Sequence, residues 1–154
     1  MHTGILAIAL ALAASAPAQQ VVSLPIAKGF WTDNGQNCAK TQYGYVFDGR
    51  RWGALYFYGP NGSMGPAAEL EPITQTRAVG GGFTQMQFGG YDGAGYFRLK
   101  SVDATRATYR VGAPHQGEVQ ETEEALKLCN FASLSPRMKA AIRQHAPGLA
   151  APVK

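Results

Sequence analysis

From Thr41 onward apolar and polar positions alternate with a period of two, the spacing of a half-buried strand. Tyr43, Tyr45 and Phe47 share one face, and Asp48-Gly49-Arg50-Arg51 marks a turn. The next segment, Trp52 to Tyr58, is apolar on both sides: Trp52, Ala54, Tyr56 and Tyr58 against Leu55 and Phe57. It predicts a strand covered on both faces, with the C-terminal segment as the candidate cover. Gly59-Pro60-Asn61-Gly62-Ser63 breaks it. Glu69 to Val79 predicts a third strand, interrupted by Pro72 and ended by Gly80-Gly81-Gly82. Phe83 to Phe88 alternates cleanly, Met86 and Phe88 opposed to Gln85 and Gln87, and residues 89–95 form a Gly-rich loop.

The next two strands predict their own register. Tyr96–Ser101 turns Phe97 and Leu99 inward, with Arg98 and Lys100 outward. Arg106–Val111 turns Ala107, Tyr109 and Val111 inward, with Arg106, Thr108 and Arg110 outward. Both apolar sets share a face only if Leu99 lies opposite Tyr109 and Lys100 opposite Thr108, which centres the hairpin on Ala104. A slip by one residue would carry Phe97 and Leu99 into the plane of the arginines. Ala113 to Gly117 reads as a loop. Glu118 to Phe131 holds good helix formers, but Leu126 and Leu128 alternate around Lys127, which favours a last strand.

Ser135-Pro136 is an N-cap followed by proline at the first helical position. Met138, Ala141 and Ile142 make an i, i+3, i+4 stripe before Pro147-Gly148, predicting an amphipathic helix over 136–146. The fold class is therefore all-β: an antiparallel meander closing into a small barrel with a short C-terminal helix. A two-sheet β-sandwich is the alternative.

The N-terminus changes the picture of where the chain works. Gly4 to Ala14 is an uncharged apolar run leading into Ser15-Ala16-Pro17-Ala18, a signal-peptidase pattern over 1–18, although only His2 and the α-amino group supply positive charge before it. The run is too short for a bilayer-spanning helix, which needs about 20 apolar residues. No Cys follows the cleavage site, which argues against a lipid-anchored lipoprotein. Residues 19–154 then form one disulfide-closed domain, periplasmic or secreted. In such a compartment Cys38 and Cys129, the only two cysteines, most simply pair. Closing so long a loop removes about 4–5 kcal/mol of unfolded-chain entropy in the simple model. The net charge of +4 is modest and its Lys and Arg are dispersed, unlike a nucleic-acid footprint.

Catalysis needs convergent groups, such as a base within reach of a nucleophile. The domain has two histidines, His115 in a loop and His145 at the helix end, both read as surface residues. No metal-ligand spacing and no phosphate loop is present, so neither metal nor cofactor is expected. The aromatics stand out: seven Tyr, seven Phe and two Trp. A packed aromatic core is favoured over a pocket. If there is a pocket, Tyr43, Tyr45, Phe47, Phe97, Leu99 and Tyr109 are its candidate lining. Arg98, Arg106 and Arg110 form an outward basic strip, a candidate contact for an acidic partner.

A signal peptide, Gly29-Phe30-Trp31 at the first strand, a β-meander and a C-terminal helix together resemble the lipocalin-like (calycin) barrels. That resemblance implies that Gly29 and Trp31 close one end of a barrel whose interior holds an apolar small molecule. Arg137 lies in the part of the chain where the family stacks an arginine over that tryptophan; the family's acidic–aromatic turn is not matched. The leading functional expectation is a non-enzymatic exported binding protein acting through its surface or loops, for example a periplasmic inhibitor. The alternatives are a lipocalin-like carrier of an apolar ligand and an enzyme without a recognisable motif. Neither nucleic acid nor a membrane anchor is expected.

Overall fold

The computed structural model describes residues 22–91 and 93–150; the expected signal segment 1–18 lies outside them. Eight strands follow one another: β1 (Gly29–Asp33), β2 (Tyr43–Phe47), β3 (Arg51–Tyr58), β4 (Met64–Val79), β5 (Phe83–Phe88), β6 (Tyr96–Ser101), β7 (Arg106–His115) and β8 (Glu118–Cys129). Each pairs antiparallel with the next, and β1 returns to β8 through Trp31↔Leu128. The sheet is therefore a closed up-and-down barrel, not a sandwich, and its strand count and connectivity are compatible with a lipocalin-like barrel. Leu99 faces Tyr109 and Lys100 faces Thr108, the register that the apolar pattern demands.

Alternation sorts the side chains into two cores. Inside the barrel, Trp31, Tyr45, Phe47, Trp52, Met86, Leu99, Tyr109 and Leu126 pack together. Outside it, Phe30, Val46, Leu55 and Phe57 are covered by Met138, Ala141 and Ile142 of the helix α1 (Pro136–His145). This is why Trp52 to Tyr58 is apolar on both sides. Burying side chains the size of Met138 and Ile142 contributes about 1.5–3 kcal/mol each. Ser135 caps the helix by accepting from the Met138 amide at 3.1 Å, and the Arg51 guanidinium donates to the His145 carbonyl at 2.8 Å.

Val22, Leu24 and Ile26 pack against the inner core, and the Trp31 indole donates to Ala27 O at 3.0 Å, so the incoming segment closes the end of the barrel nearest Gly29. A Cβ on Gly29 would sit 2.4 Å from Leu128 Cδ1, so a side chain there would require Leu128 to move. The cysteines are joined, with Cα atoms 5.7 Å apart and 91 residues between them in sequence. The bridge ties the β1–β2 loop to the end of β8. A disulfide fits an oxidising compartment, and among the described residues no helix is long and apolar enough to cross a membrane.

Several boundaries differ from the sequence expectation. Strand β4 begins at Met64, not Glu69, because residues 64–72 pair with β3 before the strand passes to β5 at Ile73↔Phe88. Pro72 sits at that handover, where a missing N–H does least harm to the ladder. Ala113 to His115 is strand, not loop. The connection to Glu118 is the two-residue turn Gln116-Gly117, whose φ angles of 50° and 86° suit the twist of a tight hairpin. The helix stops at His145, one residue short. His145 is half-buried, and its Nε2 is enclosed without a hydrogen-bond partner, so it is not a surface histidine. Arg137 lies 3.9 Å over the Phe57 ring on the outer face, away from Trp31.

Candidate ligand site at the open end of the barrel

The end opposite Gly29 is built from the start of β2, the β3–β4 hairpin, the 89–95 loop and the β7–β8 turn. Between residues 64–72 of β4, which have only β3 as a ladder partner, and the 89–95 loop lies an open cavity of about 550 Å³. Its walls are Tyr43, Tyr45, Trp52, Phe88, Phe97 and Tyr109, with Tyr91 from the loop and Glu69 and Glu71 from β4. Most large apolar residues that remain exposed stand around this end: Tyr43, Tyr58, Met64, Tyr91 and Val119.

The cavity floor is an aromatic cluster. Tyr45 stacks on Trp52 with centroids 5.3 Å apart and planes within 8°. Tyr109 meets both edge-on, at 4.9 Å and 5.2 Å. Above it Tyr43 meets Tyr45 at 5.4 Å, and on the far wall Phe97 lies 5.1 Å from Phe88 and 5.2 Å from Tyr91. Trp52 is almost fully buried and its Nε1 has no partner of full hydrogen-bond geometry; the Tyr109 hydroxyl is near enough to feel it. Leaving such a donor unmet costs about 1–3 kcal/mol, so packing holds this ring where hydrogen bonding does not.

Carboxylates are threaded among the rings. Glu69 lies opposite Ala54 and Glu71 opposite Trp52, so both share the inward face. Glu124 lies opposite Tyr109 and accepts from the Tyr45 hydroxyl at 3.1 Å on each oxygen. Glu69 accepts from the Tyr56 hydroxyl at 2.7 Å. Burial, then the neighbouring Tyr43 hydroxyl and the charge of Glu124, drive the Tyr45 pKa well above the ordinary tyrosine range. Burial does the same for Tyr109, reinforced by Glu124 and only partly opposed by the Trp52 indole. Tyr43 is also raised, first by burial. These hydroxyls thus remain neutral donors through the whole physiological range.

Of the six residues proposed from sequence as cavity lining, Tyr43, Tyr45, Phe97 and Tyr109 stand on the cavity wall. Phe47 and Leu99 do not: they are packed beneath it in the filled part of the core. Sequence reasoning missed Trp52, Phe88, Tyr91, Glu69 and Glu71. The inward parity of Glu69 and Glu71 was hidden because the pairing of β4 could not be read past Pro72.

The three arginines lie on the outer face, where Arg98 and Arg110 are direct cross-strand partners. They are not a bare strip. Arg110 pairs with Glu123 at 2.5 Å and Glu121 at 3.6 Å and lies 4.3 Å over Phe83. Arg106 closes its turn on Asp103 at 2.6 Å. Arg98 lies 3.7 Å over Tyr96 and donates to Gln85 at 3.0 Å. Gly29 and Trp31 sit at the closed end, away from the cavity. Among the described residues no group of three or more His, Cys, Asp and Glu side chains could hold a metal ion. No protein-family model matches the chain, and no curated protein or solved structure is significantly similar to it.

Proposed function

We propose that this chain is a non-enzymatic exported binding protein that holds a small molecule with a substantial apolar part in the open end of its barrel. The carrying observation is the aromatic cavity of about 550 Å³, inside the size range of small-molecule sites. Its floor is already packed by Tyr45, Trp52 and Tyr109, so the site is preformed. The predicted signal segment and the disulfide support a periplasmic or secreted location. An acidic protein partner docking on Arg98, Arg106 and Arg110 has less support, because Asp103, Glu121 and Glu123 already engage two of the three.

The test is titration with the neutral apolar dye N-phenyl-1-naphthylamine, followed by its emission. Saturable enhancement at one dye per chain is expected. Ala54→Leu places a larger side chain on the cavity wall and should abolish it while circular dichroism stays native. No enhancement in the unaltered protein, or full enhancement in a folded A54L variant, would overturn the reading.

A further inference from the structure

We infer that the ligand of this cavity carries an organic cation, an amine or quaternary ammonium attached to an apolar body. The inference rests on the pocket reading above and adds the charge of the occupant. Among the described residues, the charged side chains on the cavity wall are both acidic, Glu69 and Glu71, with no Lys, Arg or His beside them. A third carboxylate, Glu124, stands directly behind the Tyr45 hydroxyl. Yet the whole chain is cationic, at +4. The arginines of β6 and β7 point outward, onto outer-face rings and, for Arg106 and Arg110, outer-face carboxylates. The sign of the cavity wall therefore opposes the net sign of the protein.

Glu69 and Glu71 are exposed at the open mouth and so stay hydrated there, available to an incoming group. Glu69 accepts from the Tyr56 hydroxyl, a neutral donor. Glu71 has neither a hydrogen bond nor an ion pair among the described residues. Two residues apart on one strand, they are separated by about 7 Å along it, a gap that an ammonium head can bridge. The rings opposite offer the other half of such a site. The faces of Tyr and Trp carry negative quadrupole charge and attract a cation lying within about 6 Å. Tyr43, Tyr45, Trp52, Tyr91 and Tyr109 enclose the same space, so rings and carboxylates favour the same guest. An anionic amphiphile, such as a fatty acid, meets repulsion from both.

A matched pair of probes isolates the charge. Benzyltrimethylammonium and its uncharged carbon isostere neopentylbenzene have nearly the same shape, and binding of each is read by quenching of tryptophan emission, since Trp52 lines the cavity. The cation should bind at least about 10-fold more tightly, and benzenesulfonate should not bind measurably. In a Glu69→Gln/Glu71→Gln double variant, whose changes are on exposed side chains, the preference should fall below about 3-fold while the naphthylamine dye still binds. Equal affinity for cation and isostere, or a preference untouched in the folded double variant, overturns the cation inference and leaves the pocket reading standing. If neither probe nor the dye binds, the pocket reading fails, and this inference with it.

Discussion

The two ends of the barrel are made by the same alternation and put to opposite uses. At the closed end the inward positions carry Trp31, Phe47, Leu99 and Leu126, all essentially without exposure. Val22, Leu24 and Ile26 complete the plug. At the open end the inward positions carry Tyr43, Glu69, Glu71 and Glu124. An eight-stranded barrel is only just wide enough to be filled by its own side chains. Whether it holds a cavity is then decided layer by layer, by the size and polarity of what each strand turns inward. Here Tyr45, Trp52 and Tyr109 form the layer between the two regimes. Below it the core is packed to exclude water. Above it hydroxyls and carboxylates stand among the rings of the open cavity.

The sharpest way to break that division is to truncate one large ring on each side of it. Trp31→Ala removes a fully buried side chain from the closed end and should cost about 3–5 kcal/mol in urea unfolding. Tyr43→Ala removes a ring that is 45% exposed. That change should cost less than about 1 kcal/mol while weakening dye binding. Comparable losses of stability from both would mean the open end is part of the core after all.

The disulfide joins the two ends. Its loop runs from Asp33 through Cys38 to Tyr43 on the cavity wall, and its anchor is Cys129 at the end of β8. Thr32 and Thr41 fasten the same loop, both donating to Tyr43 O at 2.8 Å. A Cys38→Ser/Cys129→Ser variant should lose about 2–4 kcal/mol, because the unfolded chain regains the freedom of a 91-residue loop. Unfolding midpoints that do not differ between this variant and the oxidised protein would remove the bridge from the account of stability.

The packed parts of the molecule were far more legible in the sequence than the cavity. Leu99 and Tyr109 announce their pairing because a one-residue slip would expose both, and the Met138, Ala141 and Ile142 stripe announces its helix for the same reason. Burial penalises error there, so pattern and structure agree. The cavity obeys no such constraint. Glu69 and Glu71 look like ordinary outward positions of a strand, and only the pairing of β4 with β3 shows that they turn inward. The outward arginines were legible as a set, but their partners were not. Glu121 and Glu123 reach Arg110 only because Gln116-Gly117 makes a tight turn that lays β8 alongside β7.

The boundary layer offers the finest test, because its tyrosines should resist ionisation. In the folded protein burial and the charge of Glu124 hold the Tyr45 and Tyr109 pKa values above those of unfolded tyrosine, which ionises near pH 10. Below about pH 10 both states keep these protons, and the tyrosines add nothing to the pH dependence of stability. Above it the unfolded chain sheds protons that the folded chain retains, so stability must fall as pH rises. The slope from each such group is at most about 1.4 kcal/mol per pH unit. Tyr45→Phe should flatten that alkaline slope by roughly one tyrosine's share. At neutral pH it should cost only about 1–2 kcal/mol, for the lost hydrogen bond to Glu124. The corresponding signal is absorbance at 295 nm, where at least two of the seven tyrosines should ionise only as the protein unfolds. Seven tyrosines titrating together near pH 10 in a protein that is still folded would mean that water reaches Tyr45 and Tyr109 freely, and the layer separating a dry end from a wet one would not exist.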